Sequence, residues 1–255
     1  MNNPQPLLLY AAFGSYLLAV LLYLCHVLLR RPWVWRSAFI LVLIGFALQT
    51  VSLALRWVSA GYLPVTNLFS TQFFFSWALA ATYLYFELRY RIHAAGLFVM
   101  FCSLLLFGSI LTRDPALPPL IPALDTPLFT LHVASSFVAY AFFTMAFSMG
   151  VLYLLQRRLR HALLPELTLL RKLNEEAIFL GFSLFTLCMI IGSIWAYVAW
   201  GYYFSWNMSG RRWSGCFMPG CVTQNLSVAG RAAVMQCCRS SASGSCCSPT
   251  SGSVC

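Results

Sequence analysis

Charge is what this sequence has least of. Asp, Glu, Lys and Arg together make up 9% of its 255 residues, against about 25% in an ordinary soluble domain. That scarcity excludes a water-solvated globule. Nothing resembles a Ser-His-Asp set, a P-loop or a glycine-rich dinucleotide fingerprint, which argues against hydrolysis and nucleotide-dependent chemistry. Met1 to Pro6 has no basic n-region, and no small-residue cleavage site closes the first apolar run. The first helix is therefore expected to be retained as an anchor rather than removed as a leader.

What is present is apolar. Hydrophobic residues make up 60% of the chain, and the mean hydropathy is +0.78. The reading is an all-α integral membrane protein. A formal net charge of +10 would by itself suggest a nucleic-acid partner. The basic residues, however, sit in short clusters between apolar runs, where they orient helices in a lipid bilayer, so no nucleic acid is expected.

Six segments are long enough to cross a hydrocarbon core of about 30 Å. They are Leu7–Leu29, Ser37–Leu55, Phe69–Leu88, Ala95–Leu111, Leu128–Leu155 and Ala177–Val198, which predicts a bundle of about six transmembrane helices. Arg30, Arg31, Arg36, Arg89, Arg91, Arg157, Arg158, Arg160, Arg171 and Lys172 fall in loops of one side, and only Arg56 and Arg113 in loops of the other. By the positive-inside rule the N-terminus lies outside. The loop 112–127 is proline-rich and is expected to be extended or turned. Residues 156–176 read as a short amphipathic helix lying on the inner surface.

The stretch Gly192–Trp206, GSIWAYVAWGYYFSW, ends the sixth segment on the outer side. Trp195, Trp200, Trp206, Tyr197, Tyr202 and Tyr203 crowd around Gly201. One or two such rings would be an ordinary interfacial belt. This many in so short a span suggest a flat aromatic platform for a large planar ligand. His132 opens the fifth segment at the same level, and a neutral imidazole there is a candidate axial ligand for haem iron. His26, beside Cys25 near the inner end of the first segment, is either functional or snorkels to the surface. His93 and His161 are expected to be solvated, Glu87 to pair with Arg89 and Arg91, and Asp114 and Asp125 to cap or turn their loop.

From residue 207 the apolar periodicity stops. Seven of the ten cysteines fall in this Ser/Gly/Arg-rich segment. A disulfide or metal module is one reading, but the segment has no Cys-x-x-Cys and no histidine, and its composition is that of a disordered tail. The expected division is a membrane domain at 1–206 and a disordered Cys/Ser-rich tail at 207–255.

The spacing of Gly192, Trp195, Ala196, Trp200, Gly201, Tyr203 and Trp206 resembles the tryptophan-rich segment of the haem-handling cytochrome c assembly family. It is most similar to the CcsA/ResC-type subunit of the system II cytochrome c synthetase. Phe204 stands where a tryptophan is common. Gly61–Leu68 is similar to the family's G-H-x-P-x-S-N, with Tyr62 in the histidine's place, and Leu131-His132-Val133 also fits. The resemblance runs from Leu7 to Trp206. It implies that the aromatic segment lies against haem b, with Trp195, Trp200, Gly201, Tyr203 and Trp206 as binding residues. It further implies that His132 is the first of two outer iron-ligating histidines. Haem would be presented at the outer face to the Cys-x-x-Cys-His motif of apocytochrome c, beside a separate CcsB/ResB-type membrane subunit. A bacterial inner (plasma) membrane is expected ahead of a thylakoid membrane. A haem carrier or exporter without ligase activity, or an inactive truncated product, are the alternatives.

After Trp206 the family continues with D-P-K-E and two further helices. This chain has Asn207-Met208-Ser209-Gly210 and the cysteine-rich segment instead. Read two nucleotides out of phase, Gly215–Gly220 can encode L-F-Y-A-G and Cys247–Gly252 can encode F-T-Y-L-G, both similar to the family's later helices. A frameshift after Trp206 that replaced the true C-terminus is the resulting expectation, and with it weakened ligation.

Overall fold

The computed structural model describes residues 5–29, 31–113, 115, 124–159, 165–201 and 203. Six helices account for nearly all of them: α1 (Gln5–Leu29), α2 (Pro32–Ala60), α3 (Leu68–Tyr90), α4 (His93–Ile110), α5 (Pro127–Leu159) and α6 (Leu167–Trp200). No strand occurs among the described residues. The all-α membrane architecture expected from the apolar runs is what the chain adopts. Residues 207–255, read as a disordered tail, lie outside the described residues.

Local chemistry sets the boundaries. Pro32 occupies the first turn of α2, where a missing N–H costs nothing. Gly61 ends that helix in the left-handed region at φ 76°, its N–H bonded to the Trp57 carbonyl. Asn67 caps α3 by accepting from the Ser70 N–H at 2.8 Å. Only Arg91 and Ile92 separate α3 from α4, and Arg91 takes a left-handed φ of 55° to make that reversal.

Five helices are long and apolar enough to span a membrane; α3 is the sixth. It carries Ser70, Gln72, Ser76, Thr82 and Glu87, and most of these polar groups are buried. It packs against α2, α4 and α5, so much of it faces protein rather than lipid, where polar atoms can find partners. Ser76 and Ser103 join α3 to α4 through their hydroxyls at 2.9 Å. Gln49 of α2 accepts from the Tyr16 hydroxyl of α1 at 2.7 Å and donates to the Phe73 carbonyl of α3 at 3.1 Å.

α5 and α6 form an antiparallel pair along most of their lengths. At about 1.5 Å per residue, the 34-residue α6 is near 50 Å long, well beyond a hydrocarbon core. This corrects the expected surface helix over 156–176. Residues 156–159 continue α5, and from Leu167 onward the chain is already α6. Leu170, Leu173 and Ala177 are buried at helical spacing, and Glu176 accepts from the Tyr90 hydroxyl at 2.5 Å. Those apolar residues face protein, not headgroups.

Candidate functional site

At the end of the bundle where α5 begins and α6 stops, the two helices hold one imidazole between them. Pro127 starts α5, and Thr126 Oγ1 accepts from the Phe129 N–H at 3.3 Å. His132 follows on the second turn. Its Nδ1 lies 2.8 Å from the main-chain carbonyl of Cys188 on α6. A carbonyl can only accept, so Nδ1 carries a proton, and in the neutral ring Nε2 is the lone-pair nitrogen. A backbone carbonyl behind one ring nitrogen is the arrangement that orients metal-binding histidines.

Gly192 makes the approach possible. A Cβ at this position would stand 2.5 Å from both Cε1 and Nδ1 of His132, closer than any real contact. The imidazole lies directly on the α6 backbone in the space the missing side chain leaves. Ser136, one turn after His132, donates to the His132 carbonyl at 2.6 Å, and its hydroxyl lies 3.1 Å from Cys188 Sγ. That thiol in turn lies 3.3 Å from Nδ1. Three polar side chains are thus knitted between two apolar helices.

The described aromatic rings do not form one flat platform. Trp195 is inside, 6% exposed, nearly parallel to the His132 ring at 12° with centroids 6.4 Å apart. Phe129 packs against Trp195 with centroids 5.2 Å apart and the rings tilted by 50°. Trp200 meets Trp195 edge-on at 4.8 Å and 65° and is itself 40% exposed. Gly201, at φ 81°, ends α6 in the left-handed region that a glycine adopts without strain. The reversal lets Tyr203 stack on Tyr197 at 4.4 Å and 10°. The result is a stepped wall: a buried indole against the histidine, then an exposed indole, then an exposed tyrosine pair. Trp206 and Tyr202 lie outside the described residues.

The structure therefore brings together His132, Trp195 and Trp200, with Gly201 and Tyr203 at the following turn. Cys188, Ser136 and the function of Gly192 as a seat for the imidazole escape a reading of the sequence. The signal was there at helical spacing, with Ser136 four residues after His132 and Gly192 four after Cys188, one face on each helix.

The other titratable residues fall elsewhere. His26 Nδ1 contacts the Arg31 carbonyl at 3.0 Å, tying down the turn into α2. His93 is not simply solvated: its Nδ1 pairs with Glu87, and Trp35 stacks on its ring at 3.7 Å and 18°. Glu87 is 4% exposed and pairs with that histidine, not with Arg89 or Arg91. Asp125 is exposed, while His161 and Asp114 lie outside the described residues. No group of three metal-binding side chains occurs among the described residues.

Comparison with known proteins points the same way. A family model described as cytochrome c assembly protein matches residues 65–208. Protein NrfI of Wolinella succinogenes is 30% identical over 168 residues, covering 64% of this chain and 18% of that protein. The cytochrome c biogenesis protein CcsA of Guillardia theta is 29% identical over 185 residues, with 62% of each chain covered. The CcsA of Synechococcus sp. (strain CC9902) is 31% identical over 210 residues, covering 69% of this chain and 68% of that protein. The chain spans less than two thirds of the first two of these relatives. The matched region contains α3 to α6 and with them His132 and the aromatic wall. Matched over more than half its length, this multi-pass membrane chain belongs to the cytochrome c assembly protein family.

Proposed function

We propose that the chain is a CcsA/ResC-type subunit that holds haem b at the outer face of its membrane for attachment to apocytochrome c. The observation that carries this is the His132 seat: Nδ1 bonded to the Cys188 carbonyl over Gly192, with Nε2 as the lone-pair nitrogen. The donor set fits haem. In the neutral ring the tautomer is set by a main-chain atom, and the Trp195 indole lies nearly parallel alongside. When bound, haem supplies an iron that takes an imidazole nitrogen and two vinyl groups across which the thiols of a Cys-x-x-Cys-His motif add, forming two thioethers.

The chain's own residues bind and orient. Gly192 and the Cys188 carbonyl hold the imidazole in one rotamer, and Trp195 shields it from lipid and water. Trp200, Gly201, Tyr203 and Trp206 provide the aromatic rim. The bias of ten basic residues against two in the loops supports an N-terminus outside and this rim on the outer side. The expected partner is a CcsB/ResB-type subunit, and the expected location a bacterial plasma membrane ahead of a thylakoid.

The test is an absorption spectrum of detergent-purified protein with and without His132→Ala. Wild-type protein is expected to carry five-coordinate haem, since His132 is the one histidine assigned to that face, and the variant to lose occupancy by more than about tenfold. A six-coordinate bis-histidine spectrum that His132→Ala leaves untouched would overturn the assignment. Co-expression with an apocytochrome adds a second arm: covalent cytochrome indicates a synthetase, and bound haem without it a carrier. Purification without haem, together with rapid turnover, indicates an inactive product.

A further inference from the structure

Where α2 ends and α3 begins, the bundle buries a cation that its described neighbours do not neutralise. Arg56 is 4% exposed. Its Nη2 donates to the Pro115 carbonyl at 3.0 Å and lies 3.5 Å from Ser70 Oγ. The guanidinium carbon stands 4.7 Å over the Phe69 ring. All three partners are uncharged. The Nε–H is buried and has no acceptor among the described residues. The ion pairs among the described residues are Glu87–His93 and Arg171–Glu175, so none involves Arg56. A guanidinium keeps its proton in a protein, and a buried charge without a counter-charge is costly. A second buried polar atom without a partner, Gln72 Oε1, lies in the second turn of α3 at the same end of that helix.

A guanidinium presents parallel N–H groups that match the two oxygens of a carboxylate. Phe69 and the Pro115 carbonyl fix the plane of this one and leave Nε–H unused. We infer that Arg56 is the anchor for a carboxylate of the bound ligand, which on the haem reading above is a propionate. No bond forms or breaks in this step; the ligand supplies the missing anion. The identity of the anion rests on the haem reading, whereas the charge left uncompensated by the described residues does not.

The test titrates the purified full chain in detergent with haem and with haem dimethyl ester, whose propionates carry no charge. The unaltered chain is expected to bind the diacid about 10- to 100-fold more tightly than the diester, the range of a hydrogen bond to a charged group. Arg56→Gln is expected to erase that preference by weakening the diacid alone, and Arg56→Lys to keep part of it. Equal binding of diacid and diester by the unaltered chain overturns the assignment and leaves the haem reading standing. Equal weakening of both by Arg56→Gln marks a structural residue and also overturns it. If Arg56→Gln fails to fold, the comparison on the unaltered chain still decides. Tighter diacid binding in Asp114→Asn would mean that the chain's own carboxylate, outside the described residues, already occupies the guanidinium, and would overturn the assignment as well. Binding of neither porphyrin overturns the haem reading and the propionate together.

Discussion

His132 and His93 are both held through Nδ1, and the two ends of the bundle use that same bond differently. His132 donates to a neutral carbonyl across an empty glycine position, and the nearest indole lies 6.4 Å away between ring centroids. His93 meets a buried carboxylate, and Trp35 covers its face at 3.7 Å. A carbonyl partner fixes a proton on Nδ1, so in the neutral ring the other nitrogen keeps its lone pair for a ligand. A carboxylate partner with an aromatic lid favours a clamp: the pair ties α3 to α4 while the stacked indole brings in α2. The acceptor behind the imidazole therefore does not by itself identify an iron ligand. What covers the remaining ring surface decides.

Gly192→Leu should break this contrast most severely. Its side chain would occupy the space of the His132 ring, and haem occupancy should fall as far as in His132→Ala, by more than about tenfold in Soret absorbance per protein. Occupancy at the wild-type level would mean that the seat does not position the ligand. Glu87→Gln should act on the other end alone. Losing a largely buried carboxylate partner is expected to lower stability in detergent melts by about 1–3 kcal/mol, while haem occupancy stays within about twofold of wild type because distant sites act independently. A shifted haem spectrum in this variant would mean that the two ends are coupled. Cys188→Ala should do least, because the carbonyl that holds Nδ1 belongs to the main chain. Loss of the thiol contacts is expected to change haem affinity by about twofold, and a tenfold loss would transfer the positioning role to the sulfur.

Some of this was legible in the residues alone. The six apolar runs lie within the six helices apart from Leu111, which falls just past the end of α4, and His132 does meet the tryptophan segment. The Glu87–His93 pair was not legible. Glu87 and Arg89 are two residues apart and do not share a helix face, and Arg91, which would share one at four residues, leaves the helix as its left-handed C-cap. It is the left-handed Arg91 that turns the chain back and places His93 over Glu87. The surface helix over 156–176 failed for a related reason. Its apolar positions were assigned to a membrane surface because nothing in a linear pattern shows that α5 and α6 extend far enough to cover each other.

The amino-acid sequence by itself determined which segments enter the bilayer, because transfer of about 20 apolar residues into hydrocarbon outweighs any local preference. It also placed one histidine and a run of aromatic rings at the same end. Only the tertiary structure decided what those rings do. Close packing of α5 on α6 seats the imidazole over Gly192, buries Trp195 and leaves Trp200 at the edge. Helix pairing is governed by which side chains are small enough to let two backbones approach, and that depends on both helices at once.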